Sequence, residues 1–224
     1  MKDDKYGDDE KYESWADNNI FFPLTKLILD PLYCIGLTPN MITLLSTIST
    51  FISTYMLYKG NKLTPLFYFI GYLLDCVDGR IARKYNMGSK LGMVLDLVSD
   101  NITNITLIIV LINKYGVNLQ LLILIILIYL LGISYGLNEA IANYKTKKND
   151  NYYKTKEEML KNDKGIIYDI FLFITKQSYN VYRTLFPTYD ENKINLYLSK
   201  IKEFGPGNIC LLITIYLYYL TNKQ

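Results

Sequence analysis

Residues 75–100 read Asp75-Cys76-Val77-Asp78-Gly79-Arg80-Ile81-Ala82-Arg83-Lys84-Tyr85-Asn86-Met87-Gly88-Ser89-Lys90-Leu91-Gly92-Met93-Val94-Leu95-Asp96-Leu97-Val98-Ser99-Asp100. At about 100° per residue, Asp75 and Asp78 stand about 60° apart on one helix face, and Gly79, Ala82 and Arg83 share that face. Asp96 and Asp100 are four residues apart on the next helix, with Gly92 one turn before Asp96. Two antiparallel helices would therefore aim four carboxylates into a single gap, with small residues leaving room beside them.

Four carboxylates facing one another repel and cannot all ionise without a cation. The chain has no histidine, which removes Ser-His-Asp and Cys-His nucleophile systems, imidazole bases and histidine-ligated zinc. Oxygen donors alone suit Mg²⁺, Mn²⁺ or Ca²⁺. Two such ions about 4 Å apart would clamp a phosphate or pyrophosphate and stabilise both the entering and the leaving oxygen. Gly79 and Ala82 would let a flat base or a sugar approach the backbone, and Arg83 would meet a phosphate.

Outward from this stretch the chain is strongly apolar, 50% hydrophobic over 224 residues. Six segments are long enough, or nearly so, to cross a bilayer core of about 30 Å: residues 41–58, 65–74, 91–112, 119–135, 166–186 and 209–220. The fourth carries no charge, whereas Asp169, Lys176 and Arg183 interrupt the fifth. Six crossings put both termini on one side. That side receives 16 of the 24 Lys and Arg, against Lys59, Lys62, Lys114, Arg183, Lys193, Lys200 and Lys202 opposite, which places both termini in the cytoplasm. Four carboxylates at membrane depth are costly unless functional. The expected fold is thus all-α, an integral membrane bundle of six transmembrane helices.

The flanking sequence divides the chain into residues 1–38 and a membrane domain of residues 39–224. Residues 1–19 hold seven acids and no apolar run, so no signal peptide is expected. Residues 20–33 place Phe21, Phe22, Leu24, Leu27, Ile28 and Leu32 at helical spacing, predicting an N-terminal amphipathic interfacial helix. The lysine-rich stretch 145–164 is expected to be a solvated cytoplasmic connector near anionic headgroups. A net charge of +3 gives no footprint for nucleic acid. Cys34, Cys76 and Cys210 are too few and scattered for a disulfide framework and read as small apolar side chains. The sequons at Asn101 and Asn104 fall inside an expected span and read as chance matches.

The spacing D-x2-D-G-x2-A-R-x8-G-x3-D-x3-D resembles the signature of the CDP-alcohol phosphotransferases, complete here in Asp75, Asp78, Gly79, Ala82, Arg83, Gly92, Asp96 and Asp100. Thr38-Pro39-Asn40-Met41-Ile42-Thr43 is likewise similar to the approach to that family's first transmembrane helix. The resemblance implies a membrane enzyme of phospholipid synthesis that moves a phospho-alcohol or phosphatidyl group from a CDP-linked donor to a hydroxyl acceptor and releases CMP. It implies that Asp75, Asp78, Asp96 and Asp100 hold two Mg²⁺ or Mn²⁺ ions and that Asp100 is the base on the acceptor hydroxyl. Gly79, Ala82, Arg83 and, at the rim, Asn40 would line the CDP site. A homodimer embedded in membrane lipid is also implied.

The acceptor is open at this point. The run from Asn86 to Asp100 resembles phosphatidylinositol synthases, but Ser46 and Asn101 stand where that branch carries arginines. The N-terminal stretch resembles choline and ethanolamine phosphotransferases, but Leu97 stands where those carry a histidine. A cation pathway is the competing class, although a pathway needs no glycines and arginine at fixed offsets from its carboxylates. Asn104, Asn138, Glu139, Lys176, Tyr179 and Arg183 are candidates for an acceptor pocket, each equally suited to an interhelical hydrogen bond.

Overall fold

Local chemistry sets most of the helix ends. A computed structural model describes residues 13–223, and every regular element among them is helical; the acidic residues up to Glu10 lie outside the described residues. After a π-helical turn, Asp17–Phe21, come α1 (Phe22–Cys34), α2 (Pro39–Lys59), α3 (Thr64–Lys84), α4 (Lys90–Tyr115) and α5 (Leu119–Lys147). Then follow α6 (Tyr152–Met159), α7 (Ile166–Leu185), α8 (Glu191–Ile201) and α9 (Pro206–Asn222). Thr38, Ser89 and Asn118 cap α2, α4 and α5 by accepting from the backbone N–H three residues on. Gly60 ends α2 at φ 73°, the left-handed conformation that glycine takes without penalty.

A ladder of hydroxyls binds α2 to α3. Ser53 donates to the Thr64 carbonyl at 2.8 Å, Ser49 to Phe67 at 2.8 Å and Ser46 to Gly71 at 2.9 Å. Thr43, one turn further along the same stripe, donates to the Asp78 carboxylate. Hydroxyls at three- and four-residue spacing allow close approach and replace apolar side chains at this contact, each bond contributing about 0.6 kcal/mol. Gly71 is required here, because a Cβ at that position would lie 2.4 Å from the Thr50 hydroxyl.

The α2–α3 and α4–α5 turns lie together at one end, where Lys114 of α4 donates to the Leu57 and Tyr58 carbonyls of α2 at 2.7 and 3.0 Å. The α3–α4 turn lies at the other, the site end. There α1 packs Leu29 against Val77 and Ile81 of α3. Its Asp30 accepts from Lys84 and Tyr85 at 2.6 and 2.7 Å, contacts that hold the carboxyl below its ordinary range.

Among the described residues four stretches are long and apolar enough to cross a membrane: Pro39–Lys59, Lys90–Tyr115, Leu119–Lys147 and Glu191–Asn222. Residues 65–74 and 166–186, the second and fifth expected crossings, are not among them; the latter segment is α7. Its Phe171 packs with Val94 and Val98 in the first third of α4, and its Tyr182 donates to Asp150 just beyond the end of α5. Both ends of α7 therefore touch the site end. Asp169, Lys176 and Arg183 recur every seven residues and form one polar stripe, the pattern of a helix lying on a surface.

The last helix starts inside the bundle. Asp17, 1% exposed, accepts from Ser14 at 2.7 Å, from Tyr72 of α3 at 2.7 Å and from the Gly207 N–H at the start of α9 at 3.0 Å. Burial nonetheless pushes this carboxyl above its ordinary value. From there α9 passes Tyr68 with Cys210 and reaches Tyr115 with Tyr216, so it runs away from the site end.

Candidate active site

A cavity of about 600 Å³ is lined chiefly by α2, α3 and α4, with residues of α5, α6, α7 and α9 completing its wall. Asp75, Asp78, Gly79, Ala82, Arg83, Gly92, Asp96 and Asp100 all border it, as does Asn40. The carboxylate oxygens of Asp75, Asp78 and Asp96 lie within 4.8 Å of one another. Asp100 borders the same space one turn along α4, outside that trio. The structure thus brings every residue of the expected metal and CDP sites to one cavity and gathers three of the four aspartates most tightly.

The glycines act as spacers. A Cβ at Gly79 would sit 3.1 Å from Nη1 of Arg83, so the guanidinium lies over that bare backbone. A Cβ at Gly92 would sit 2.7 Å from Oδ1 of Asn40 and 3.0 Å from the Ser89 hydroxyl, so the Asn40 amide leans on α4 across the mouth. Asp78 is only 5% exposed, and the Thr43 hydroxyl donates to its Oδ2. The donor set fits hard divalent cations: converging oxygens, no imidazole in the chain, and no thiol within the trio.

Two contributors were not legible as site residues. Thr43 lay inside the resemblance at the start of α2, but its hydroxyl gave no sign of a carboxylate partner. Lys156 sits in the lysine-rich stretch expected to be a solvated connector. Instead α6 folds there, and Lys156 lines the cavity, 2.9 Å from Glu139 of α5. Ser46 also lines it while holding the Gly71 carbonyl.

Of the other polar candidates, Asn104 and Glu139 border the cavity. Tyr179 accepts from Arg183 at 3.0 Å, and Arg183 pairs with Asp150 at 3.0 Å. Lys176 lies over the Tyr153 ring, and Asn138 is outside the cavity lining. The three cysteines are free thiols.

A sequence profile of the CDP-alcohol phosphatidyltransferase family matches residues 36–186, well over half of the chain. CDP-diacylglycerol–inositol 3-phosphatidyltransferase of Candida albicans is 39% identical over 88 residues, 38% of this chain and 38% of that protein. A probable CDP-diacylglycerol–inositol 3-phosphatidyltransferase 2 of Arabidopsis thaliana is 33% identical over 89 residues, 40% of each chain. Phosphatidylinositol phosphate synthase of Mycobacterium marinum is 32% identical over 88 residues, 38% of this chain and 37% of that one. The matched stretch spans about two fifths of these curated relatives. No solved structure matches the chain.

Proposed function

This chain belongs to the CDP-alcohol phosphatidyltransferase family, and we propose that it transfers a phosphatidyl group from a CDP-linked lipid to a hydroxyl of inositol, releasing CMP. The observation that carries this is the convergence of Asp75, Asp78 and Asp96 in a cavity bordered by all eight signature positions. Inositol comes from the names of the relatives.

Asp75, Asp78, Asp96 and Asp100 would hold two Mg²⁺ or Mn²⁺ ions, which when bound neutralise the pyrophosphate. Gly79 and Ala82 admit the nucleotide to the α3 backbone, with Asn40 at the rim, and Arg83 pairs with a phosphate oxygen. Asp100 takes the proton of the acceptor hydroxyl. That oxygen bonds to the β-phosphorus, the bond from this phosphorus to the bridging oxygen breaks, and CMP leaves carrying that oxygen. Purified protein supplied with CDP-diacylglycerol, labelled inositol and Mn²⁺ should form labelled lipid and CMP in equal amounts; neither product from an intact protein would overturn the proposal.

The chain is read as crossing the membrane five times, through α2, α3, α4, α5 and α9, with α1 and α7 at the cytoplasmic interface. Lys59, Lys62, Lys114 and Lys223 then face outward, and the other 17 of the 21 Lys and Arg in residues 13–223 lie on the site side. That is a steeper bias than six crossings give, and it leaves the C-terminal end of α9 opposite the site. The homodimer implied by the resemblance stands as part of this proposal, measurable by crosslinking in detergent.

A further inference from the structure

The cavity is also lined by Asn104 of α4, Tyr135 and Glu139 of α5 and Lys156 of α6. Lys156 reaches it from the loop between α5 and α7, its Nζ 2.9 Å from Glu139 Oε2 and 3.6 Å from the Met93 sulfur. The pair is mostly withdrawn from solvent, the Lys156 and Glu139 side chains being 14% and 22% exposed. Lys90 anchors the end of α6 by donating to the Met159 carbonyl at 2.7 Å. Lys156 is thereby held in the cavity.

Charge decides what this wall can take. Five carboxylates border the cavity among the described residues, Asp75, Asp78, Asp96, Asp100 and Glu139, against two cations, Arg83 and Lys156. The proposed ions and Arg83 are matched to the four aspartates and the donor pyrophosphate. Lys156 is matched to Glu139. A phosphorylated acceptor would bring about two further negative charges into a space whose nearest cation already has a carboxylate partner. An uncharged polyol needs no such charge. Its hydroxyls can donate to Glu139 and accept from Lys156.

We infer that Glu139 and Lys156 form the acceptor-selecting pair of this site and admit a free polyol over its monophosphate. The inference rests on the proposed transferase reading and adds the residues that choose its acceptor. The test is steady-state kinetics of the full chain with CDP-diacylglycerol, using inositol and inositol monophosphate as alternative acceptors. Glu139→Gln is expected to raise the inositol KM about tenfold, the loss of one hydrogen bond to a charged group. The donor KM should stay within about twofold and kcat within about threefold, and the monophosphate should gain turnover as Lys156 loses its partner. Lys156→Met should raise the inositol KM similarly, and Lys156→Arg should restore it; these two decide the matter if Glu139→Gln does not fold.

A purely structural pair would change the melting temperature or both KM values together. Inositol KM values unchanged in the folded variants, or a wild-type preference for the monophosphate, would overturn the inference and leave the transferase standing. A wild-type protein that releases no CMP with either acceptor would overturn both.

Discussion

The Thr43 hydroxyl donates to Oδ2 of Asp78 across the α2–α3 contact, and the same hydroxyl also reaches the Pro39 carbonyl at 3.1 Å. A threonine on α2 therefore orients a carboxylate on α3. Asp78 is buried, so its free rotation would spoil the convergence with Asp75 and Asp96. Thr43→Val keeps the shape and removes the donor. It should lower kcat about tenfold and raise the Mn²⁺ concentration needed for half-maximal rate, since a hydrogen bond to a charged group contributes about 1.5–3 kcal/mol. Thr43→Ser should restore both.

The aspartates should separate into two behaviours. Asp78→Asn and Asp96→Asn remove charge from the converging trio, and each should abolish turnover together with the rise in melting temperature that Mn²⁺ produces in the wild type. Asp100 lies outside the trio. Asp100→Asn should abolish turnover yet keep most of the Mn²⁺-induced rise, as expected of a residue whose main task is the acceptor proton. Scanning fluorimetry with and without EDTA, beside a CMP-release assay, measures both.

The site was largely legible in the sequence because its chemistry is local: eight positions within 26 residues sit on two consecutive helices, and a helical period alone turns Asp75, Asp78, Asp96 and Asp100 toward one gap. What escaped was non-local. Lys156 is one of seven lysines in residues 145–164, and nothing in its flanks marks it as the one that meets Glu139. The crossings were legible by apolarity where that was high, as in α2, α4 and α5. α7 has the length of a span but not its apolarity, and the seven-residue spacing of Asp169, Lys176 and Arg183 reports amphipathicity, which a length criterion ignores.

Gly71 is where the α2–α3 ladder leaves least room. Gly71→Ala sets a methyl 2.4 Å from the Thr50 hydroxyl and 3.3 Å from the Ser46 carbonyl, and overpacking of this kind costs about 1–3 kcal/mol. Ser53→Ala removes a single interhelical bond at the far end of the ladder and should cost only about 0.6 kcal/mol. The two melting curves in detergent should rank in that order, and a Gly71→Ala protein as stable as Ser53→Ala would contradict the packing.

The course of the chain after α5 can be settled by labelling single cysteines, introduced on a background without Cys34, Cys76 and Cys210, with a membrane-impermeant maleimide in sealed oriented vesicles. Six crossings would put Lys193 on the side of Lys62 and Lys223 on the side of Lys90. Five crossings exchange them: Lys193→Cys should label with Lys90→Cys, and Lys223→Cys with Lys62→Cys. The structural ground is that α7 touches the site end with both Phe171 and Tyr182, so on the proposed five-crossing course the chain enters α8 without having left that side. Ile194 and Leu198 of α8 pack with Leu137 and Ile141 in the site-end half of α5, and Gly207 then starts α9 against Asp17. On the proposed course one crossing remains after that point, and an odd number of crossings would put the end of α9 on the face opposite the carboxylates.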